Sequence, residues 1–307
     1  MHNRRIGVLV MSYGTPESME QIEAYYTHIR HGHKPSPELL GELTSRYEAI
    51  VGGVFPLREN TNRQVSALQE TLDRMYPNYS FVCYQGLKHA APFIEDGVKQ
   101  MAADGLREAV GIVLAPHYST MSVGDYTKRA RETAVACGIR MNFVDQYHLH
   151  PDLLSALANR VRAGLAGFGE QADRTEVIFS AHSLPAKILE ANDPYPQQLL
   201  ETSQAVAERA GVAKWRFAWQ SAGRTAEPWL GPDILDVLET IRGEGIEHVL
   251  VCPVGFVSDH LEVLYDIDIE CKQKAAKLGI HLERTASLNT DPLYMKTLAE
   301  SVVAKIS

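Results

Sequence analysis

Apolar residues fall along this chain in short unbroken runs separated by stretches of helical periodicity, and the alternation occurs twice. Residues 6–12, 80–85, 109–115 and 140–144, and then 176–181, 214–220, 248–254 and 280–284, are rich in apolar and β-branched side chains and close on Gly, Pro or polar residues. Runs that do not alternate with polar positions predict strands buried on both faces, as in a parallel sheet. Helical stretches at 20–29, 37–47, 63–76, 93–104 and 126–137 separate the first set, and similar stretches separate the second. The pattern predicts an α/β fold of two βαβ series, each a mostly parallel four-stranded sheet flanked by helices. Local strings support an internal duplication: residues 10–16 resemble 179–185, 84–86 resemble 219–221, and 114–116 resemble 251–253. We divide the chain into 1–150 and 151–307, the boundary lying near 147–152 or in 164–173, with the last helix free to pack back on the first half. Tyr13 and His182 then occupy equivalent places past the first strand of each half, where open α/β sheets bind ligands.

One stretch stands out, VLVCPVGFVSDHLEVLYDIDIEC at 249–271. It opens as a buried strand and turns at Pro253 and Gly255. Glu262, Asp266 and Glu270 follow at i, i+4 and i+8, so an α-helix would stack three carboxylates along one face. Like charges at that spacing destabilise a helix by a few tenths of a kcal/mol per pair. With no Lys or Arg interleaved, the ladder suits a cation, and a solvated acidic face is the plain alternative.

Composition narrows the setting. The chain has 307 residues, 45% apolar and 22% charged, with formal net charge −8. That length suits two domains of about 150 residues. The acidic balance disfavours nucleic acid or an anionic membrane as the main partner. No stretch approaches the roughly 18 apolar residues of a membrane span. Cys83, Cys137, Cys252 and Cys271 are scattered without a CxxC, which predicts neither a zinc site nor a disulfide framework and fits a reducing cytoplasm.

The remaining chemistry centres on His182. Ser180 and Ser183 flank it but lack the G-x-S-x-G of a nucleophile elbow, and neither G-x-G-x-x-G nor a phosphate-binding G-x-x-x-x-G-K-[ST] occurs. What is left is an imidazole and an acidic ladder, each at a sheet's carboxyl edge. With open positions that pair suits Fe(II), Zn or Co(II), and it can also accept protons. His31 and His33 read as an exposed loop, His89 and His117 as either cleft or structural residues, and Trp215, Trp219 and Trp229 as core or cleft wall.

These strings resemble the ferrochelatases, closest to the coproporphyrin III enzymes of Gram-positive bacteria. The likeness covers nearly the whole chain and rests on VLVMSYGTP (8–16), YYTHIRHGHKP (25–35), SRYEAI (45–50), GLKHAAPFIED (86–96), LAPHYS (114–119), SAHSLP (180–185), DPYPQQL (193–199), WQSAGRTAEPWLGPD (219–233) and PVGFVSDHLEVLYDIDIEC (253–271). The resemblance implies two Rossmann-like, chelatase-type domains that hold a porphyrin and insert Fe(II), with release of two protons. It assigns His182 and Glu262 as catalytic and metal-facing residues, and Asp266 and Glu270 as a relay or auxiliary divalent-metal position. Tyr13 becomes the axial residue to the product iron, and Arg30, Arg46, Tyr47, Phe55 and Tyr126 become porphyrin contacts. Two departures touch those contacts: Arg30-His31-Gly32-His33 stands where relatives carry more arginine, and Phe55 precedes Pro56-Leu57 after an extra residue near Val51. No tightly bound cofactor and no iron-sulfur cluster are expected. The enzyme is expected to be a cytoplasmic monomer, with transient contact to neighbouring haem-pathway enzymes. A protoporphyrin IX ferrochelatase, a cobalt chelatase of corrin synthesis and a porphyrin or haem carrier are the alternatives.

Overall fold

In the computed structural model, which describes residues 4–50 and 55–306, the chain forms two compact units. The first comprises Met1–Tyr147 with Asn289–Ser307, the second His148–Leu288. The units therefore divide three residues earlier than 150/151, and the terminal segment 289–307 belongs with the first unit. The extra residue expected near Val51 lies outside the described residues.

In the first unit the order is β1 (Arg4–Ser12), α1 (Ile22–Ile29), α2 (Pro37–Ile50), α3 (Pro56–Met75), β2 (Tyr79–Leu87), α4 (Ile94–Ala103), β3 (Glu108–Val113), α5 (Val123–Ala136) and β4 (Arg140–Val144). The strands pair in parallel in the order β2-β1-β3-β4. The second unit runs α6 (Pro151–Ala166), β5 (Glu176–His182), α7 (Tyr195–Ala210), β6 (Trp215–Gln220), α8 (Ile234–Gly243), β7 (His248–Cys252), α9 (Leu261–Leu264), α10 (Lys272–Leu278) and β8 (His281–Arg284). Its strands are again parallel, in the order β6-β5-β7-β8. Helix α11 (Pro292–Val303) returns to pack on α3.

Burial explains the unbroken runs. Seven residues of β1 in succession, Ile6 to Ser12, are buried, as only a central strand covered on both faces would be. One face of that sheet is covered by α4 and α5, whose Ile94, Val98, Met101, Val123 and Ala130 pack on Leu9, Met11 and Val113. In the second unit α8 and α10 do the same, with Leu238, Ile241 and Ala275 against Ile178, Val249 and Val251. Helix α3 begins at Pro56 rather than at residue 63. Proline at the first helical position lacks only an N–H that would be unsatisfied there, so the polar segment after it can still be helical. Its buried Thr61, Gln64, Leu68, Thr71 and Leu72 lie three or four residues apart. Gln64 Nε2 also donates to the Asn289 carbonyl at 2.8 Å, anchoring the lead into α11.

Both sheets change direction at the same place. The chain leaves the first strand of each unit to one side and returns on the other, so the crevice between β1 and β3, and that between β5 and β7, is a topological switch point. Close packing holds α4 onto its sheet, since a Cβ at Gly97 would lie 2.6 Å from the Gln85 carbonyl oxygen and 2.7 Å from Leu9 Cδ1. A Gly97→Ala chain should lose roughly 1–3 kcal/mol through overpacking, read as a lower urea midpoint at unchanged slope.

Candidate active site

The apolar residues of β5 bring His182 to the strand's last position, at the carboxyl edge beside β7. The exit is braced by neighbouring side chains. Ser180 Oγ donates to Gln220 Oε1 at 2.8 Å, Ser183 Oγ donates to the Leu230 carbonyl at 2.8 Å, and both serines are fully buried. They are structural donors, in keeping with the absence of a nucleophile elbow. Tyr195 Oη donates to the His182 carbonyl at 3.1 Å. The imidazole Nδ1–H donates to the Ser183 carbonyl, which leaves Nε2 facing Glu262.

Glu262 reaches this edge because the loop after β7 folds back over β5. Gly255 N–H donates to the Ser180 carbonyl at 3.1 Å, and a Cβ there would sit 2.5 Å from Ala181 Cβ. Gln220 Nε2 then donates to the Glu262 carbonyl at 2.8 Å, fixing the first turn of α9. As a result Glu262 Oε1 stands 3.3 Å from His182 Nε2. Its other oxygen is 3.6 Å from Nε2 of His260, whose Nδ1 lies 3.0 Å from the Ser258 carbonyl. His260 escapes a reading by helical periodicity because it precedes α9 in extended backbone, which turns it toward Glu262.

The acidic ladder is not a continuous α-helix. Only Leu261–Leu264 is α-helical, and Asp266–Cys271 is a π-helical turn leading into α10. The Tyr265 carbonyl accepts from both Ile269 N–H at 3.1 Å and Glu270 N–H at 2.9 Å, which shifts the register by one residue. Such widened turns recur at functional sites. Along it Glu262 is half-buried, Asp266 is buried and Glu270 is exposed. Asp266 accepts from Ser221 Oγ, and Ser221 itself holds a left-handed φ of 59°, uncommon for a residue with a Cβ. The expected absence of interleaved cations holds within the segment, yet Arg284 of β8 binds Asp268 through two 2.8 Å contacts and reaches Asp259 at 3.4 Å. Arg284 thereby neutralises the carboxylates on the far side of the turn and leaves Glu262, Asp266 and Glu270 to other partners.

Electrostatics set the resting protonation of the pair. Burial is the strongest single influence on His182 and opposes its charge, but Glu262, the Ser183 carbonyl and Asp266 together outweigh it, and its pKa is pushed up to about 9. Burial likewise opposes the Glu262 charge, but His182 and His260 hold that carboxyl well below the usual range. The resting pair at neutral pH is imidazolium and carboxylate, not a free imidazole base. Trp229 walls the site, its ring 6.4 Å from that of His182, whereas Trp219 is core and Trp215 packs edge-on against Phe179.

In the first unit the candidates divide. Tyr13 is 43% exposed, with its ring 4.6 Å from that of His89. Arg30 is exposed and donates to the His33 carbonyl at 3.3 Å, and Arg46 is half-buried. Tyr47, Phe55 and Tyr126 are core residues: Tyr47 Oη lies 3.1 Å from Thr15 Oγ1, Phe55 packs 5.1 Å from the Tyr47 ring, and Tyr126 lies under the Lys88 ammonium. His89 is buried and shares a 3.0 Å Nδ1–Nδ1 hydrogen bond with His28. Burial, with Lys88, His28 and Arg129 nearby, pushes its pKa down to about 3.

The ferrochelatase family model matches residues 5–306. The chain is 48% identical to the coproporphyrin III ferrochelatase of Halalkalibacterium halodurans, over 100% of this chain and 99% of that protein. It is 49% identical to the coproporphyrin III ferrochelatase of Geobacillus kaustophilus, over 99% and 97%. Among solved structures it is similar to the sirohydrochlorin chelatase SirB from Bacillus subtilis subspecies spizizenii in complex with cobalt, with TM-score 0.59 at 11% identity, covering 98% of this chain and 95% of that one. CbiX, described as the terminal enzyme for biosynthesis of siroheme in denitrifying bacteria, gives TM-score 0.57 at 11% identity, covering 98% and 100%. At that identity the two structures show a shared chelatase fold.

Two measurements check the electrostatics. In a Glu262→Gln chain the strongest raising influence on His182 is gone, so its imidazole should titrate near or below its ordinary 6.5 rather than at about 9, as followed by nitrogen-15 NMR. For His89 the folded pKa lies below the unfolded one, so its contribution is complete above pH 6.5 and is lost as pH falls toward 3. Moving from pH 7 to pH 5 should cost the native chain about 2 kcal/mol more than a His89→Gln chain, measured by denaturant unfolding.

Proposed function

Because the chain belongs to the ferrochelatase family, we propose that it inserts Fe(II) into coproporphyrin III, releasing two protons and yielding the iron coproporphyrin of haem biosynthesis. The observation that carries this reading is the 3.3 Å contact of His182 Nε2 with Glu262 Oε1 at the switch point of the second sheet. A free-base porphyrin must surrender two pyrrole N–H protons as the dication enters. The site therefore needs a proton acceptor beside an anion that draws the hydrated metal without holding it irreversibly.

The pair supplies both functions as a unit. At rest it holds one proton on the imidazole, stabilised by the carboxylate. A dication drawn to the oxygens of Glu262 weakens that support and lets burial, which opposes the imidazolium, lower the proton affinity of His182. The imidazole then passes its proton to solvent, to which its side chain is 31% exposed, and takes the two pyrrole protons one after the other, handing each on to solvent in turn. His260, on the second oxygen of Glu262, holds the carboxylate in orientation. Asp266 and Glu270 form a graded approach from buried to exposed, suited to metal relay or to an auxiliary divalent ion.

In the first unit, the exposed Tyr13 presents a phenol able to ligate the product iron, and Arg30 suits a propionate by bidentate pairing. Tyr47, Phe55 and Tyr126 shape the porphyrin surface from beneath. We assign no resident cofactor and no iron-sulfur cluster. The thiols of Cys83 and Cys252, pushed up to about 12 by burial, are poor thiolate donors. No helix of the described residues is long and apolar enough to cross a membrane. A monomer in a reducing cytoplasm, meeting other haem-pathway enzymes transiently, completes the proposal.

Insertion quenches porphyrin fluorescence, which makes the test direct. With Fe(II), coproporphyrin III should be consumed faster than protoporphyrin IX, and sirohydrochlorin with Co(II) should be a poor substrate; the opposite ranking would sink the substrate assignment. Tight binding without turnover would mark a carrier. His182→Ala should lower the rate at least about 100-fold with porphyrin affinity nearly unchanged.

A further inference from the structure

At the end of the second sheet away from His182, two histidines stand side by side. His248 opens β7 and His281 opens β8, and the two are paired in register. Neighbouring strands lie about 4.8 Å apart, and side chains at in-register positions share a face. Their rings are 6.0 Å apart at 72°, and both rings pack against Phe168, 6.1 Å and 5.0 Å away. Glu283 lies two residues beyond His281 and so points to the same face. Its Oε1 is 3.3 Å from His281 Nε2, while its Oε2 is 3.1 Å from the Lys272 ammonium. His281 and Glu283 are 57% and 49% exposed, and the group is open to ions in solution.

From this geometry we infer that His248, His281 and Glu283 form a second metal site, one that takes a borderline divalent transition-metal ion such as Zn(II), Ni(II), Co(II) or Cu(II). Two imidazoles and a carboxylate with open positions are a donor set for these ions. Bond lengths of about 2.0–2.1 Å in a tetrahedral site put ligand atoms roughly 3.3 Å apart, the spacing already present between His281 and Glu283. The His248 ring stands 6.0 Å from that of His281, and metal binding would require it to turn toward the other two donors. Lys272 occupies one carboxylate oxygen and holds the other in place, as partners of metal-binding carboxylates do. The site cannot be an outpost of the His182 and Glu262 pair. The five residues of β7 separate the two edges of the sheet, a distance of about 13 Å for four steps at 3.3 Å each. The proposal therefore stands or falls independently of the chelatase reading.

The test uses the full chain without an affinity tag. Zn(II) titrated calorimetrically into a His182→Ala chain should bind at this edge, and adding His281→Asn should weaken that binding at least about tenfold. Because His248 also packs on Phe168, the more exposed His281 is the decisive position. The Cu(II) electron paramagnetic resonance spectrum of the His182→Ala chain should show coupling to two nitrogens, and that pattern should disappear with His281→Asn. Zn(II) affinity and Cu(II) spectra that do not change with His281→Asn would overturn the site.

Discussion

The contact between an imidazole and a carboxylate at the carboxyl edge of one sheet governs what the rest of this chain must do. Two ionisable groups drawn partly out of water repay that cost only when they meet at close range. The fold therefore spends several neutral hydrogen bonds on holding them. Gln220 ties the start of α9 to β6, Ser180 and Ser183 stiffen the exit of β5, and Gly255 lets the β7 loop lie against Ala181. None of these residues carries a charge. Each sets the position of one that does, and the proton balance of the pair follows from that geometry.

Much of this arrangement was legible in the residues alone. The strands announce themselves as unbroken apolar runs because both faces of each sheet are covered, and the parallel order follows from the helices between them. His182 falls at a strand's end, and the carboxylates of 259–270 follow a strand of the same sheet, so a shared edge could be expected. Hydrogen-bond register could not be read this way. Positions four apart lie on nearly the same side of an α and a π turn, so side-chain spacing does not reveal that the Tyr265 carbonyl takes two donors. Nor does spacing reveal the direction of a pKa shift, which depends on how burial compares with a partner 3.3 Å away. The isolated histidine looks like a base near neutrality, whereas the placed one is an imidazolium.

The two units use one topology for different purposes. At the corresponding edge of the first, Tyr13 lies beside a His89 kept uncharged by burial and by the nearby cations Lys88 and Arg129, with His28 sharing its proton bond. Tyr47 and Phe55 form a pair that supports this surface from within the core. Their burial was hidden in the sequence because aromatic residues at a ligand edge and aromatic residues beneath it have the same composition. The duplicated scaffold thus carries an ion pair at the edge of one sheet and a hydrogen-bonded histidine pair at the corresponding edge of the other.

The π turn makes the length of this edge as consequential as its composition. A widened turn is a helix carrying one residue more than its neighbours require, and removing any residue between Tyr265 and Lys272 would let it relax into ordinary α-helix. Because the widened turn absorbs that extra residue locally, the helix on either side of it would keep its phase. The surplus residue is therefore a local device: it widens one turn around the Tyr265 carbonyl while α10 stays docked on its sheet.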